Sequence, residues 1–402
     1  VKEKDVAWHA GNRDTNRRSV GIEHHGYAYR PGYYDATLYE SSARLVREIT
    51  ARYSIPRDRT HIIGHFEVPD PANPGQFGGR SHHTDPGPYW DWDAFMALVR
   101  SDAQLAQPAA PPPVHPGEKV TVTISATNYG DDPWPGPNGA GQASADSATD
   151  AGRVAFAQRV PVYLGAWPVP SGIGSGDRPA LWDPKDWTSP RLVGLPQGGL
   201  DVAPNGGAAT FSVTLTAPPV GAGEVTQRFR LFHVPPAPRA PFAFGPVVPV
   251  TLRVEPYELA VSAGKPGTGA TFAPGAAWQR KGDIFWAKAA PSVAPARWTA
   301  TLPQGGVWEV YARWPAASGR TAAAQYTVSA GTAPGQAMTV DQREAPAGVD
   351  GWHLLGRFPL GAVGAKNVAA AVELAARGKG VAVADAVRFV GPYAPEAGDK
   401  AP

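Results

Sequence analysis

The sequence predicts a multidomain protein: an α/β unit, read as a mixed sheet with flanking helices, followed by two all-β sandwich domains. Three observations carry this. The chain has 402 residues, more than one ordinary core holds. A helix-period stretch runs directly into a short apolar run within the first hundred residues, the order of an α/β unit. Past a Pro/Ala-rich run at 102–116 the pattern changes to alternating apolar and polar residues separated by Gly- and Pro-containing turns. The expected boundaries are 1–101 for the α/β unit, 102–116 for a stiff linker, 117–256 and 257–392 for the sandwiches, and 393–402 for a polar tail.

Composition excludes several functions. The net charge is +2 and 18% of residues are charged, so no basic field argues for nucleic acid. Cysteine is absent, which removes disulfides, thiolate ligands and a thiol nucleophile. No apolar run approaches the roughly 20 residues of a membrane-spanning helix. The counts of 46 Gly and 44 Pro suit many short strands and turns, and 13 Trp leave aromatic surface for binding. A monomer is expected. The opening VKEKDVAWHAGN lacks a charged region followed by an apolar one. It reads as the middle of a domain, so an upstream piece is expected.

In the first unit, Val20 and Ile22 alternate with Gly21 and Glu23, which predicts a strand with Glu23 on its polar face. Residues 37–54 predict a helix. Thr37 and Glu40 are spaced as a capping box, Leu38, Leu45, Val46, Ile49 and Tyr53 form its apolar stripe, and Pro56 stops it. Residues 60–64 predict a buried strand ending at His65. A Pro/Gly-rich loop leads on to His82, His83, Thr84 and Asp85, and a last helix starts at Asp91 with Trp92, Phe95, Met96 and Val99 inward.

An imidazole at a strand end and a carboxylate just ahead of Pro-Gly are parts from which a zinc site can be built. They converge only if the loop between them folds back. A carboxylate such as Glu23 facing that site can serve as general base toward water at the metal. The other histidines carry weaker signals. His24 and His25 admit a cleft-lining and a surface role equally. His61 reads as structural, and alternation points His82 away from His83. Trp8, Tyr33 and Trp90 are candidates for sugar or peptide contact, against a core role.

VAWHAGN, SVGIE, IIGH and TDPGPYWDWDAF, in that order, resemble the type-2 N-acetylmuramoyl-L-alanine amidases, zinc enzymes related to peptidoglycan recognition proteins. The resemblance implies hydrolysis of the amide between N-acetylmuramic acid and L-alanine of peptidoglycan. It implies Zn2+ as cofactor, His65 and Asp85 as metal ligands, and Glu23 as the catalytic glutamate. It also implies an extracellular or cell-envelope location. The family's first zinc ligand is a histidine upstream of a motif like VAWHAGN, and no residue precedes Val1 here. Two ligands fall short of the usual three or four, so weak zinc binding or none is expected of this chain. Where the family often carries an oxyanion-stabilising lysine, this sequence has His83, which is given that catalytic role.

In the second unit EKVTVTISATNYG, AATFSVTLTAPP and VTQRFRLFHV alternate as strands. The order of its motifs is similar to a four-tryptophan Ig-like domain. Residues 136–153 read as a loop insertion. Residues 167–191, with Trp167, Trp182 and Trp187, read as a second loop whose tryptophans pack across the sandwich. The third unit resembles golvesin C-terminal-like domains over 276–391, which implies polysaccharide binding. Among Trp286, Trp298 and Trp314 at least half are expected to face inward. Asp385 is expected to bond backbone amides.

Three functions follow. The favoured one is a zinc amidase acting on peptidoglycan, with β modules that attach it to the cell wall or a polysaccharide. The second is a non-catalytic peptidoglycan- or polysaccharide-binding protein with an incomplete zinc site. The third makes polysaccharide adhesion by the β modules the main role.

Overall fold

The computed structural model describes residues 5–136, 160–167, 179–235, 237, 239–331 and 335–396. Most of the expected insertion at 136–153, part of the loop at 167–191 and the end of the tail lie outside these residues.

The first unit is helical. Helix α1 (Arg13–Arg18) is capped by Asn12, whose side chain accepts from the backbone of Asp14 and Thr15. Helix α2 (Ala36–Tyr53) is capped by Asp35, which accepts from Leu38 N at 2.8 Å. The expected capping box at Thr37 does not form, and Glu40 instead pairs with Arg230 at 2.9 Å. The buried face of α2 is Ser42, Ala43, Val46, Ile49 and Thr50, while Leu45 and Tyr53 are exposed. The face is rotated from the expected stripe because α3 (Trp92–Arg100) packs beside it, with Phe95, Met96 and Val99 inward.

Neither strand expected in this unit forms. Residues 20–23 form no strand and have no ladder partner among the described residues. Residues 58–62 form a turn instead. The Asp58 carboxylate accepts from Thr60 N and His61 N, and its carbonyl accepts from Ile62 N. That local Asx bonding outcompetes an extended ladder, as it does generally for aspartate at turns. Among the described residues the mixed sheet is therefore not seen, and the unit consists of helices and long loops.

Among the described residues the second unit has two sheets. One is β1 (Ala103–Leu105), β2 (Lys119–Asn128) and β5 (Gly207–Thr216) in the order β1-β2-β5. The other contains β3 (Val162–Trp167), β4 (Leu192–Gly194), β6 (Gly223–His233) and β7 (Phe242–Val254) in the order β4-β3-β6-β7. The strands within each sheet pair antiparallel, and burial alternates along β2 and β5. The stretch expected as a spacer is thus part of the sandwich. Ala103 to Leu105 pair with β2, and Val114 bridges Val254. Polyproline stiffness does not prevent this, because the pairing residues lie outside the Pro-Pro-Pro run.

The first two units share one hydrophobic cluster, from Ala43, Val46 and Trp90 to Ile124, Phe211 and Leu252. Polar contacts cross the same junction. Arg100 forks onto Asp132 at 2.5 and 2.6 Å, Arg57 meets Asp131 at 2.8 Å, and Arg239 meets Asp93 at 2.6 Å. Ser101 Oγ lies 2.6 Å from His233 Nε2.

The third unit is again a sandwich. Its strands are β8 (Tyr257–Ser262), β9 (Ala270–Ala273), β10 (Gln279–Lys281), β11 (Ile284–Lys288), β12 (Ala296–Gln304), β13 (Gly306–Arg313), β14 (Ala323–Ala330), β15 (Gln336–Val340), β16 (His353–Leu360), β17 (Lys366–Arg377), β18 (Val381–Ala384) and β19 (Ala386–Tyr393). A five-stranded sheet, β15-β14-β17-β12-β9, faces a four-stranded one, β16-β13-β19-β8. Trp298 and Trp308 are fully buried between them, Trp314 is buried and Trp286 is half-buried. Asp385 interrupts what the sequence suggests is one strand. Its carboxylate pairs with Arg313 at 3.3 Å, so its partner is a guanidinium and not the expected backbone amides.

Candidate metal centre

The loop between the turn at 58–62 and α3 brings His65 and Asp85 together. His65 opens a single 3-10 turn, His65–Glu67. The turn is braced from behind: Glu67 accepts from Gly64 N at 2.7 Å and pairs with Arg59 at 2.5 Å. Arg59 is buried and lies 3.4 Å over the ring of Trp92. In front, Phe66 N donates to Asp85 O at 3.2 Å, which ties the backbones of the two segments.

The intervening loop folds back through Gly78. Gly78 N donates to Val68 O at 2.7 Å, and Gly78 O accepts from His83 N at 2.9 Å. Its φ is +88°, and a Cβ there would sit 2.4 Å from the His83 carbonyl oxygen. Only glycine meets both conditions. Immediately before, His82 turns away through a left-handed φ of 50° and places Nε2 3.1 Å from Asp70. The Asp70 carboxyl is held down at about 2, first by the Asn73 side chain, then by Ala72 N, with His82 adding to them. His82 and His83 do point apart, through a helical turn and not through the alternation of an extended chain.

Three side chains meet at this fold-back. His65, His83 and Asp85 each offer a ligand atom, and these atoms lie within 4.8 Å of one another. His65 Nδ1 is 3.5 Å from Asp85 Oδ2, and His83 Nδ1 is 3.4 Å from Asp85 Oδ1. The two imidazoles stack with centroids 4.2 Å apart and planes 10° from parallel. His65 Nε2 is buried with no hydrogen-bond partner. His83 and Asp85 are half-exposed, so the group opens to solvent on one side.

Glu23 is exposed and does not belong to this close trio. It sits on the segment that runs past the Asp85 loop. The next residue, His24, bonds Ser42 Oγ at 2.7 Å and packs on Trp90. Burial lowers the His24 pKa, against the raising effect of Glu23. Further along, the Ala28 carbonyl lies against Gly87, where a Cβ would be 2.3 Å away and φ is +78°. Tyr34 closes the same edge. Its hydroxyl donates to Pro86 O at 2.8 Å, and burial followed by the charge of Asp85 raises its pKa.

The remaining sequence candidates divide. Trp90 is buried in a cluster with Tyr34, Tyr39 and Phe95 and is a core residue. Trp8 is 93% exposed and Tyr33 is half-buried. His25 packs edge-on to Tyr33, and His61 pairs with Asp58 at 2.8 Å. Sequence reasoning gave His83 a catalytic role apart from the metal ligands, whereas the fold places it beside both. The signal was the spacing, since His83 stands two residues before Asp85.

Residues 1–88 match the sequence profile of the N-acetylmuramoyl-L-alanine amidase family, and residues 273–391 match that of the golvesin C-terminal domain. N-acetylmuramoyl-L-alanine amidase A of Achromobacter lyticus is 32% identical over an alignment of 111 residues that covers 25% of this chain. The chain spans 59% of the length of that curated relative. Among solved structures, a Paenibacillus xanthan lyase aligns over 73% of this chain and 25% of its own at 15% identity, with a TM-score of 0.29. The secreted serine protease VesC of Vibrio cholerae aligns over 73% and 52% at 11% identity, with a TM-score of 0.20. Neither of these two likenesses bears on the fold or the chemistry.

Proposed function

We propose that this chain acts on peptidoglycan as a zinc-dependent N-acetylmuramoyl-L-alanine amidase, with the two sandwiches attaching it to the wall or to a polysaccharide. The observation that carries the reading is the convergence of His65, His83 and Asp85 at one solvent-facing spot inside the segment that matches the amidase profile. Two imidazoles and a carboxylate are zinc donors, not the all-oxygen set of a hard cation. His65 Nδ1 and His83 Nδ1 both face the Asp85 carboxylate, at 3.5 and 3.4 Å, which supports the fit. In this reading His65 and Asp85 hold the ion. The ion, when bound, supplies Lewis acidity and acidifies water toward neutral pH.

The chain's own residues do the rest. Glu23 takes a proton from the attacking water and delivers it to the nitrogen of the departing L-alanine, so that a free amine leaves. Tyr34 and the Phe66–Asp85 backbone bond hold the carboxylate loop in place. An extracellular or envelope location belongs to the same proposal; no helix among the described residues is long and apolar enough to cross a membrane.

The test is release of stem peptides with a free L-alanine amino group from purified muropeptides. Glu23→Gln is expected to retain bound zinc and lose at least about 100-fold in rate, the low end for a general acid–base group. Undiminished cleavage by that variant removes Glu23 from the mechanism. One observation favours the second reading, wall binding without hydrolysis: Glu23 stands outside the close trio while Trp8 is almost wholly exposed. A chain that sediments with cell walls and releases no stem peptide meets that description.

A further inference from the structure

We infer that His83 is a metal ligand in this chain, so that His65, His83 and Asp85 form a three-donor site drawn wholly from residues 65–85. The inference rests on the metal-dependent reading above and deepens it. It replaces an assignment in which His83 only steadies negative charge on the substrate.

The distances separate the two roles. An imidazole hydrogen-bonded to a carboxylate lies about 2.7–3.2 Å from it. Elsewhere in the first unit His61 meets Asp58 at 2.8 Å and His82 meets Asp70 at 3.1 Å. At the trio both contacts are longer, 3.5 Å for His65 and 3.4 Å for His83. Two ligands at zinc bond lengths of about 2.0–2.1 Å in a tetrahedron stand roughly 3.3–3.4 Å apart. The carboxylate is therefore spaced from each ring as co-ligands are spaced, and the two spacings are nearly equal. An oxyanion donor has no reason to stand at that distance from the ligand carboxylate; it is expected to point past it, toward substrate.

The backbone fixes this arrangement. The His83 N to Gly78 O bond and the His82 N to Gly79 O bond close the turn just before His83, and the Phe66 N to Asp85 O bond sets the register of His65 against Asp85. His83 and Asp85 are two apart and both reach the fold-back; the His65 and His83 rings are stacked, so one ring has to turn for both nitrogens to aim at a common ion. Each ring presents Nδ1 to a different oxygen of the same carboxylate. Three protein donors with one open side is the pattern of a zinc site that keeps a position for water. The half-exposed side of His83 and Asp85 provides that opening.

The experiment titrates the full chain with Zn2+ and Co2+, comparing the wild type with His83→Ala, His83→Lys, His65→Ala and Asp85→Ala. Affinity comes from calorimetry against a competing chelator, and coordination from the visible absorption of the Co2+ form. The wild type is expected to take one equivalent. His65→Ala and Asp85→Ala should lose it. Loss of a hydrogen-bond partner behind a ligand costs about 10–100-fold in affinity, so loss of His83 as a ligand should cost about 100-fold or more and change the Co2+ spectrum. His83→Lys should behave like His83→Ala, because a protonated ammonium is no ligand. Wild-type affinity and an unchanged Co2+ spectrum in both His83 variants would overturn the inference and leave the His65/Asp85 reading standing. No saturable binding by a folded wild type would overturn both. Should His83→Ala fail to fold, His83→Asn replaces it, and the ring 15N shifts of selectively labelled histidine in the wild type report metallation directly.

Discussion

His233 sits where the helical unit meets the first sandwich, and it should make that junction sensitive to acid. It is buried, stacked at 4.4 Å on Phe244, tilted against Phe242, and its Nε2 lies 2.6 Å from Ser101 Oγ. No carboxylate pairs with it among the described residues. Burial pushes its pKa down to about 3 from 6.5, only partly opposed by the backbone of Val160. The folded chain therefore keeps His233 neutral over a range in which the unfolded chain protonates it. A depressed histidine contributes fully above about pH 6.5, and its contribution falls as the pH drops toward 3. One proton corresponds to about 1.4 kcal/mol per pH unit below the unfolded pKa. Between roughly pH 7.5 and 5 the loss comes to about 2 kcal/mol. His24 is also lowered by burial and acts in the same direction, so the slope of the wild type alone is not diagnostic. The comparison is with His233→Gln, which cannot ionise yet can donate to Ser101 Oγ, whose own proton goes to Ala97 O. Urea unfolding followed by tryptophan fluorescence at several pH values should show the wild type losing about 2 kcal/mol more than the variant across that range. Parallel pH dependences for the two proteins would refute the assignment.

The other predictions concern packing. Arg100→Ala removes a guanidinium that is 16% exposed and leaves Asp132, 10% exposed, without its countercharge; a loss of about 3–5 kcal/mol is expected in urea unfolding of the joined units. Gly78→Ala forces a left-handed residue with a Cβ against the His83 backbone, which should cost at least about 1 kcal/mol and weaken Zn2+ binding in calorimetry. Trp308→Ala empties a fully buried site in the third unit and breaks the bond from its Nε1 to Gln304 O; about 3–5 kcal/mol should be lost from that unit's transition, leaving the metal affinity of the first unit unchanged.

How far the sequence could be read depends on where each preference came from. The sandwiches were legible because period-2 alternation is a property of the strand itself, and β2 and β5 show it residue by residue. Helix α3 was legible for a similar reason, since Asp91 and the stripe of Phe95, Met96 and Val99 are local signals. The strand expected at 60–64 failed because Asp58, outside that window, captured its amides. The α2 stripe was rotated because burial was decided by α3 and the sandwich, neither of which lies in the helix's own sequence. At the site, His65 and Asp85 drew notice by residue type and setting. The place of His83 depended on a backbone reversal at Gly78, and one glycine among 46 does not announce such a turn.

Only Ser101 and Asp102 separate the last residue of α3 from the first residue of β1, and both are held, by His233 and Arg47. A tether that short and that bonded has no slack. The helical unit and the first sandwich must then tumble as one piece, and on the proposed reading any polymer held by the sandwich would lie at a set offset from the trio. Reach along a polymer would be decided by the breadth of a β-sheet rather than by the swing of a hinge.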